Sequence, residues 1–127
     1  MTMPTTAGGV PPITGQVLFY KQPQPLSAEN HGGLGVKQVA QPFAFLREAH
    51  AVPVTVTEFG VAAASYPIIF VGDERTPVAV MGVRQGQNLF VDNNGFVFED
   101  YYIPAFVRRY PVVFAADASL PISPLFP

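Results

Sequence analysis

Three arginines and one glutamate are the residues here whose types suit chemistry in concert: Arg84, Arg108, Arg109 and Glu58. Arg108 and Arg109 are adjacent and offer two guanidinium forks, which suit capture of a partner's carboxylate or phosphate. The competing use is structural, with an Arg–Glu pair bracing one helix against another. Tyr66, Tyr102 and Tyr110 add side chains with an apolar body and a polar tip, suited to a recognition surface or to a core. The candidate partner-binding set is therefore Glu58, Tyr66, Arg84, Arg108, Arg109 and Tyr110.

Other constellations fail on spacing. His31 and His50 stand far apart in a chain without cysteine, so no metal ligand set is expected. Asp92-Asn93-Asn94-Gly95 has the look of a calcium loop. Setting Gly95 at that loop's glycine position, however, puts Phe90 first and Tyr101 last, where carboxylates belong. Gly82-Val83-Arg84-Gln85-Gly86 lacks the Lys-Ser/Thr ending of a phosphate loop, and Gly33-Leu34-Gly35 lacks the rest of a dinucleotide fingerprint. Ser65 has no Gly-x-Ser-x-Gly setting. Asp73-Glu74 and Glu99-Asp100 are adjacent acids in turn-like stretches, which read as solvated faces. No cofactor and no catalytic set is expected.

The elements that must position the arginines and Glu58 carry a repeated phrase. A short apolar helix-like run leads into Tyr-Pro, then two aliphatic residues and a Phe. The first copy runs from Glu58 through Tyr66-Pro67-Ile68-Ile69-Phe70, the second from Pro104 through Tyr110-Pro111-Val112-Val113-Phe114. Proline lacks a backbone donor and pushes the preceding residue out of the α region, so each Tyr-Pro should stop a helix and start an extended segment. Between the copies the strands should be Ile68–Val71, Val78–Val83, Asn88–Val91 and Phe96–Phe98, joined by turns, the strongest at Asp92–Gly95. Thr57 is placed to cap the helix that Glu58 begins. The expected fold class is α+β, an antiparallel β-meander with two short helices packed on one face.

Ahead of this stretch the pattern is thinner. Residues 1–16 read as a disordered leader, Val17–Tyr20 as a β-prone run, Ser27–His31 as a helical turn and Gly35–Val39 as a short strand. Phe43–His50 suits one or two helical turns, and Val52–Val56 is extended. The domain should span 17–115, and 116–127 should form an irregular proline-rich tail.

Composition bounds the function. The chain has 127 residues, 49% apolar and only 13% charged, against a usual charged share of about a quarter. So few charges leave apolar surface uncovered, which predicts a protein partner or self-association. The net charge of −2 and the scattered basic residues exclude an electrostatic footprint for nucleic acid. No apolar run approaches the roughly 18 residues of a membrane span, and no signal peptide pattern opens the chain. A cytoplasmic location is expected unless another export route operates.

The ordered motifs resemble the SapC family of bacteria. Tyr20-Lys21 with Pro23, Pro25, Leu26-Ser27, Glu29 and His31 is similar to the family's opening, as is Ala51-Val52-Pro53-Val54 with Glu58-Phe59. The likeness continues through Tyr66–Phe70, Pro77-Val78-Ala79, Gly82-Val83-Arg84, Gly86–Asp92, Tyr102–Phe106 and Arg108–Pro111. It covers about Leu18–Phe114. Where the family usually has a Trp after the turn this chain has none, and Phe98 takes that place. Family members typically continue further, so the chain is expected to be an N-terminal half. The resemblance implies an accessory or interaction protein linked to bacterial surface layers, with no catalytic residues to carry over. The rival expectation is an enzyme or subunit modifying a peptide or surface molecule, its site completed by a C-terminal half.

Overall fold

Pro67 precedes the second strand of a small antiparallel sheet, Pro53 lies in an edge strand and Pro77 in the central one. The computed structural model describes residues 18–114; the expected leader, tail and Val17 fall outside them. The chain divides into two compact units, Leu34–Pro111 and one that joins the preceding residues to those after Pro111.

In Leu34–Pro111, β1 (Ala51–Pro53), β2 (Ile68–Val71) and β3 (Thr76–Val80) form a sheet in the order β1-β3-β2, all antiparallel. Short helices accompany it, so the fold is α+β. The hairpin of β2 and β3 matches the expected meander, with Ile69 opposite Val78 and Val71 opposite Thr76. The next two expected strands do not form; among the described residues, 88–91 and 96–98 share a single bridge between Val91 and Val97. The reason is occupancy. A strand has two edges; β2 takes one edge of β3, and β1 takes the other with Val52 opposite Ala79. Beyond Val80, Met81 and Gly82 both donate their N–H groups to the His50 carbonyl.

Side chains alternate faces along a strand, so the Val52–Ala79–Ile68 row lies on one face. Val52 and Ala79 are fully buried there, and burial fades toward β2, where Phe70 is 63% exposed. Leu46, Ala62, Tyr66, Met81 and Val107 are likewise almost wholly buried. Gly82 has no room for a side chain, because a Cβ would run into the Gln87 carbonyl.

The expected helical turn within Phe43–His50 appears as a 3₁₀ turn at Ala44–Leu46. Gly35–Val39 forms no strand. The helix after β1 begins with a 3₁₀ turn, Val56–Glu58, and its cap is Thr55 rather than Thr57. The Thr-x-x-Glu spacing explains this: the Glu58 carboxylate reaches back to the Thr55 N–H. Two four-residue helices carry the repeated phrase, Phe59–Ala62 and Ala105–Arg108, each shorter than expected. With Ala28–His31 in the other unit, they are α1 (Ala28–His31), α2 (Phe59–Ala62) and α3 (Ala105–Arg108). Only the first Tyr-Pro leads into a strand; Val112–Phe114 is irregular. The Tyr110-Pro111 peptide bond is cis.

In the second unit, Ser27 caps α1 by accepting from the Asn30 N–H, and the Tyr20 hydroxyl donates to the Val112 carbonyl at 3.2 Å. The Val17–Tyr20 run forms no strand over its described residues.

Candidate functional site

Glu58 is the centre of the polar network that joins the two copies of the repeated phrase. Its position follows from the capping turn, which ends at Glu58 and turns the carboxylate inward to 6% exposure. One carboxylate oxygen accepts from the Thr55 N–H at 2.9 Å and the Thr55 hydroxyl at 3.0 Å. The other accepts from the Tyr102 hydroxyl and the Ala105 N–H, both at 3.0 Å. Ala105 opens α3, whose first N–H groups have no partner inside the helix. The glutamate therefore closes the start of its own turn and the start of α3 together.

Two further bonds run beside it. The buried Tyr66 hydroxyl donates to the Tyr102 carbonyl at 2.6 Å, and the Tyr102 N–H donates to the Ser65 hydroxyl at 2.9 Å. Ser65 thus serves as an acceptor at the end of the first phrase. Tyr66 also packs edge-on against Phe90, which meets Tyr101 in the same manner.

The electrostatics follow from these contacts. Burial pushes the Glu58 carboxyl up, but the N–H groups of Thr55 and Ala105 and the hydroxyls of Thr55 and Tyr102 hold it below its ordinary value. It is ionised at neutral pH with its acceptor sites occupied. Burial, followed by the charge of the neighbouring Tyr101, pushes the Tyr66 phenol up to about 12. Burial and the hydrogen bond to Glu58, with its charge, also raise the Tyr102 phenol, and Arg108 opposes them. The four donors on the two oxygens of Glu58 make the ionised carboxylate a structural tie between the two helix starts.

The arginines separate in this structure. Arg108 donates to the Tyr102 hydroxyl at 3.2 Å and its guanidinium lies 5.5 Å from that ring. It thus reaches Glu58 through Tyr102, while the direct brace comes from the Tyr102 hydroxyl and the Ala105 backbone. The Arg109 guanidinium lies 4.0 Å over the Phe106 ring. Arg84 is exposed in the turn after β3, where its carbonyl accepts from the Gln87 N–H. Tyr110 stacks on Phe45 with ring centroids 4.0 Å apart.

Glu58, Arg109, Phe106, Ala105 and Pro53–Thr55 line an open cleft of about 190 Å³. Small-molecule sites run to roughly 300–1,000 Å³, so this cleft suits a side chain or a single acidic group better than a metabolite. Among the described residues no group of three or more His, Asp or Glu is placed to hold a metal ion. Nor is any described helix long and apolar enough to cross a membrane.

Three contributors escaped the sequence-based choice of site residues. Tyr102, weighed with Tyr66 and Tyr110 but left out of the candidate set, is the hub between Glu58 and Arg108. Thr55 was legible from its spacing to Glu58. Asn88 is buried, donates to the Leu46 and Ala49 carbonyls at 3.2 and 2.9 Å, and accepts from the Phe90 N–H. Its carbonyl partners lie about forty positions away, so no local pattern announces them. Around it, Asp92 organises the expected turn by accepting from the Asn94 and Phe96 N–H groups, with Gly95 at φ +78°.

A family model described as SapC matches residues 26–122. No curated protein and no solved structure matches the chain.

Proposed function

Because the chain belongs to the SapC family, we propose that it is a non-catalytic accessory protein that binds a protein partner at the bacterial cell surface through exposed apolar side chains. One observation carries the reading: Leu89, Phe96 and Phe98 are each about half exposed, at 51%, 46% and 49%. Large apolar side chains left in solvent are characteristic of surfaces that meet other proteins. Arg109, at the cleft beside Glu58 and Phe106, offers its guanidinium as a second point of contact, to a carboxylate or phosphate of the partner. The saturated hydrogen bonding of Glu58 supports a binding role over a catalytic one.

The test places a photoreactive phenylalanine analogue at Phe98 in the full chain, produced in its own bacterium. A control carries the same analogue at exposed Thr57. The expected result is an adduct with one defined surface-layer or envelope protein at position 98 only, lost in an Arg109→Ala background. Equal labelling at both positions, or no adduct at 98, would overturn the proposal.

A further inference from the structure

The two outer edges of the sheet are not alike. In an antiparallel pair, residues that exchange hydrogen bonds alternate with residues whose N–H and C=O groups point away from the partner. The Val80 N–H donates to the Pro67 carbonyl. Continuing that alternation, Ile69 and Val71 bond inward to Val78 and Thr76, so Ile68 and Phe70 direct their backbone groups outward. On the other side the Val54 N–H donates to the Pro77 carbonyl, which makes Val52 and Ala79 a bonded pair. Pro53 then occupies an outward position of β1, where proline removes a donor and blunts the edge.

β2 has no such protection. Among the described residues, the outward N–H and C=O groups of Ile68 and Phe70 have no hydrogen-bond partner. Ile69 and Phe70 are 47% and 63% exposed and belong to opposite faces of the strand. The stretch Tyr66–Gly72 carries no charged side chain, lysine or otherwise, to discourage pairing.

We infer that β2 is a self-association edge, pairing antiparallel with β2 of a second copy about a two-fold axis. The occupant follows from complementarity. With Ile69 of each copy crossing at the axis, Ile68 of one lies opposite Phe70 of the other, and the outward groups of both residues bond reciprocally. The side chains match on both faces, Ile69 against Ile69 and Ile68 against Phe70, and no like charges meet. Area sets the strength. An aromatic buries roughly 150–250 Å², so Phe70 and its neighbours contribute a few hundred Å² per copy, below the ~1,200 Å² total of a stable interface. The dimer is therefore weak and concentration-dependent. This surface is separate from the one assigned to the partner, and either can fail alone.

The chain's lack of cysteine makes the register testable. In Ile69→Cys the two sulfurs face each other across a non-bonded pair, whose ~4.5 Å Cα separation admits a disulfide. In Val71→Cys they lie four residues apart along the strands, roughly 13 Å. Under mild oxidation of the full chain, Ile69→Cys should form a covalent dimer on the order of tenfold faster than Val71→Cys, because only the first meets disulfide geometry. Wild type should show concentration-dependent sedimentation up to millimolar protein. Ile69→Lys, which sets two like charges opposite on an exposed position, should remain monomeric with an unchanged circular dichroism spectrum. Equal cross-linking of both cysteine variants, or a wild type monomeric throughout, overturns the inference; in the latter case the edge serves an extended peptide of another protein or none.

Discussion

Replacing Glu58 with glutamine keeps the shape of the side chain and removes only its charge and half of its acceptor capacity. Each carboxylate oxygen faces one hydroxyl and one backbone N–H. A hydroxyl can turn to accept from an amide, but a backbone N–H cannot, so either orientation of the glutamine leaves one N–H facing another donor. The less costly orientation turns the amide nitrogen toward Thr55, which is exposed and can hydrate its own N–H. What remains is the exchange of charged acceptors for a neutral one, together with part of an orphan's cost. At ~1.5–3 kcal/mol per charge-assisted bond, the net loss is about 2 kcal/mol. That is a large share of the ~5–15 kcal/mol that stabilises a domain, and corresponds to a fall in Tm of roughly 8–16 °C. The loss depends on pH with a definite sign. The folded chain holds this carboxyl below its ordinary pKa, so it binds the proton less tightly than the unfolded chain does. The stabilisation is complete above the unfolded value, near 4.3 for a free glutamate, and drains away as pH falls through the lower folded value. Urea unfolding followed by far-ultraviolet circular dichroism should show the gap between wild type and Glu58→Gln in full at neutral pH and closing in acid. A gap under ~0.5 kcal/mol at neutral pH, within the spread of ordinary surface substitutions, would refute the strut, as would a gap indifferent to acid.

Tyr66→Phe should cost about 1–2 kcal/mol in urea unfolding, since it leaves the Tyr102 carbonyl without its buried donor. Ultraviolet titration of the wild type should show one phenol ionising near 12, a component missing from Tyr66→Phe. Asn88→Ala should cost roughly 2–4 kcal/mol, read by the same denaturation, because two carbonyls and one N–H lose a shared partner in the core. Arg109→Ala should leave stability within about 1 kcal/mol, the value of an exposed cation over an aromatic ring. Measured beside the cross-linking at Phe98, it separates loss of binding from loss of fold.

Local chemistry was legible where a residue's partner lies close in the chain. The helical turn after Leu26, the Asp92–Gly95 turn and the helix stop at Tyr66-Pro67 each depend on groups a few positions apart, and each appears where expected. The β2–β3 hairpin is of the same kind, with a short turn setting its register. Thr55 was legible too, through its spacing to Glu58, although Thr57 stands nearer the helix and looks the better cap until the 3₁₀ turn is included.

Competition for a place was not legible. Asn88–Val91 and Phe96–Phe98 have strand-like residues, but propensity does not reveal that β1 occupies the edge of β3 that a third meander strand would use. The same limit governs the candidate site. Glu58 stood out by type, yet its ties to Tyr102 and Ala105, more than forty positions away, exist only once the two helix starts meet.

By itself, then, the sequence determined the SapC-like order of motifs, the α+β class, the helix stops, the turns and the sparse charge that leaves apolar surface in solvent. The tertiary structure alone decided that β1 joins β3, that Glu58 is a saturated strut, and that β2 keeps an open edge while Pro53 blunts the other. The physical reason is common to all three. Each depends on which backbone groups remain unbonded after distant segments have paired, and hydrogen-bond direction is settled by register, which residue types do not record.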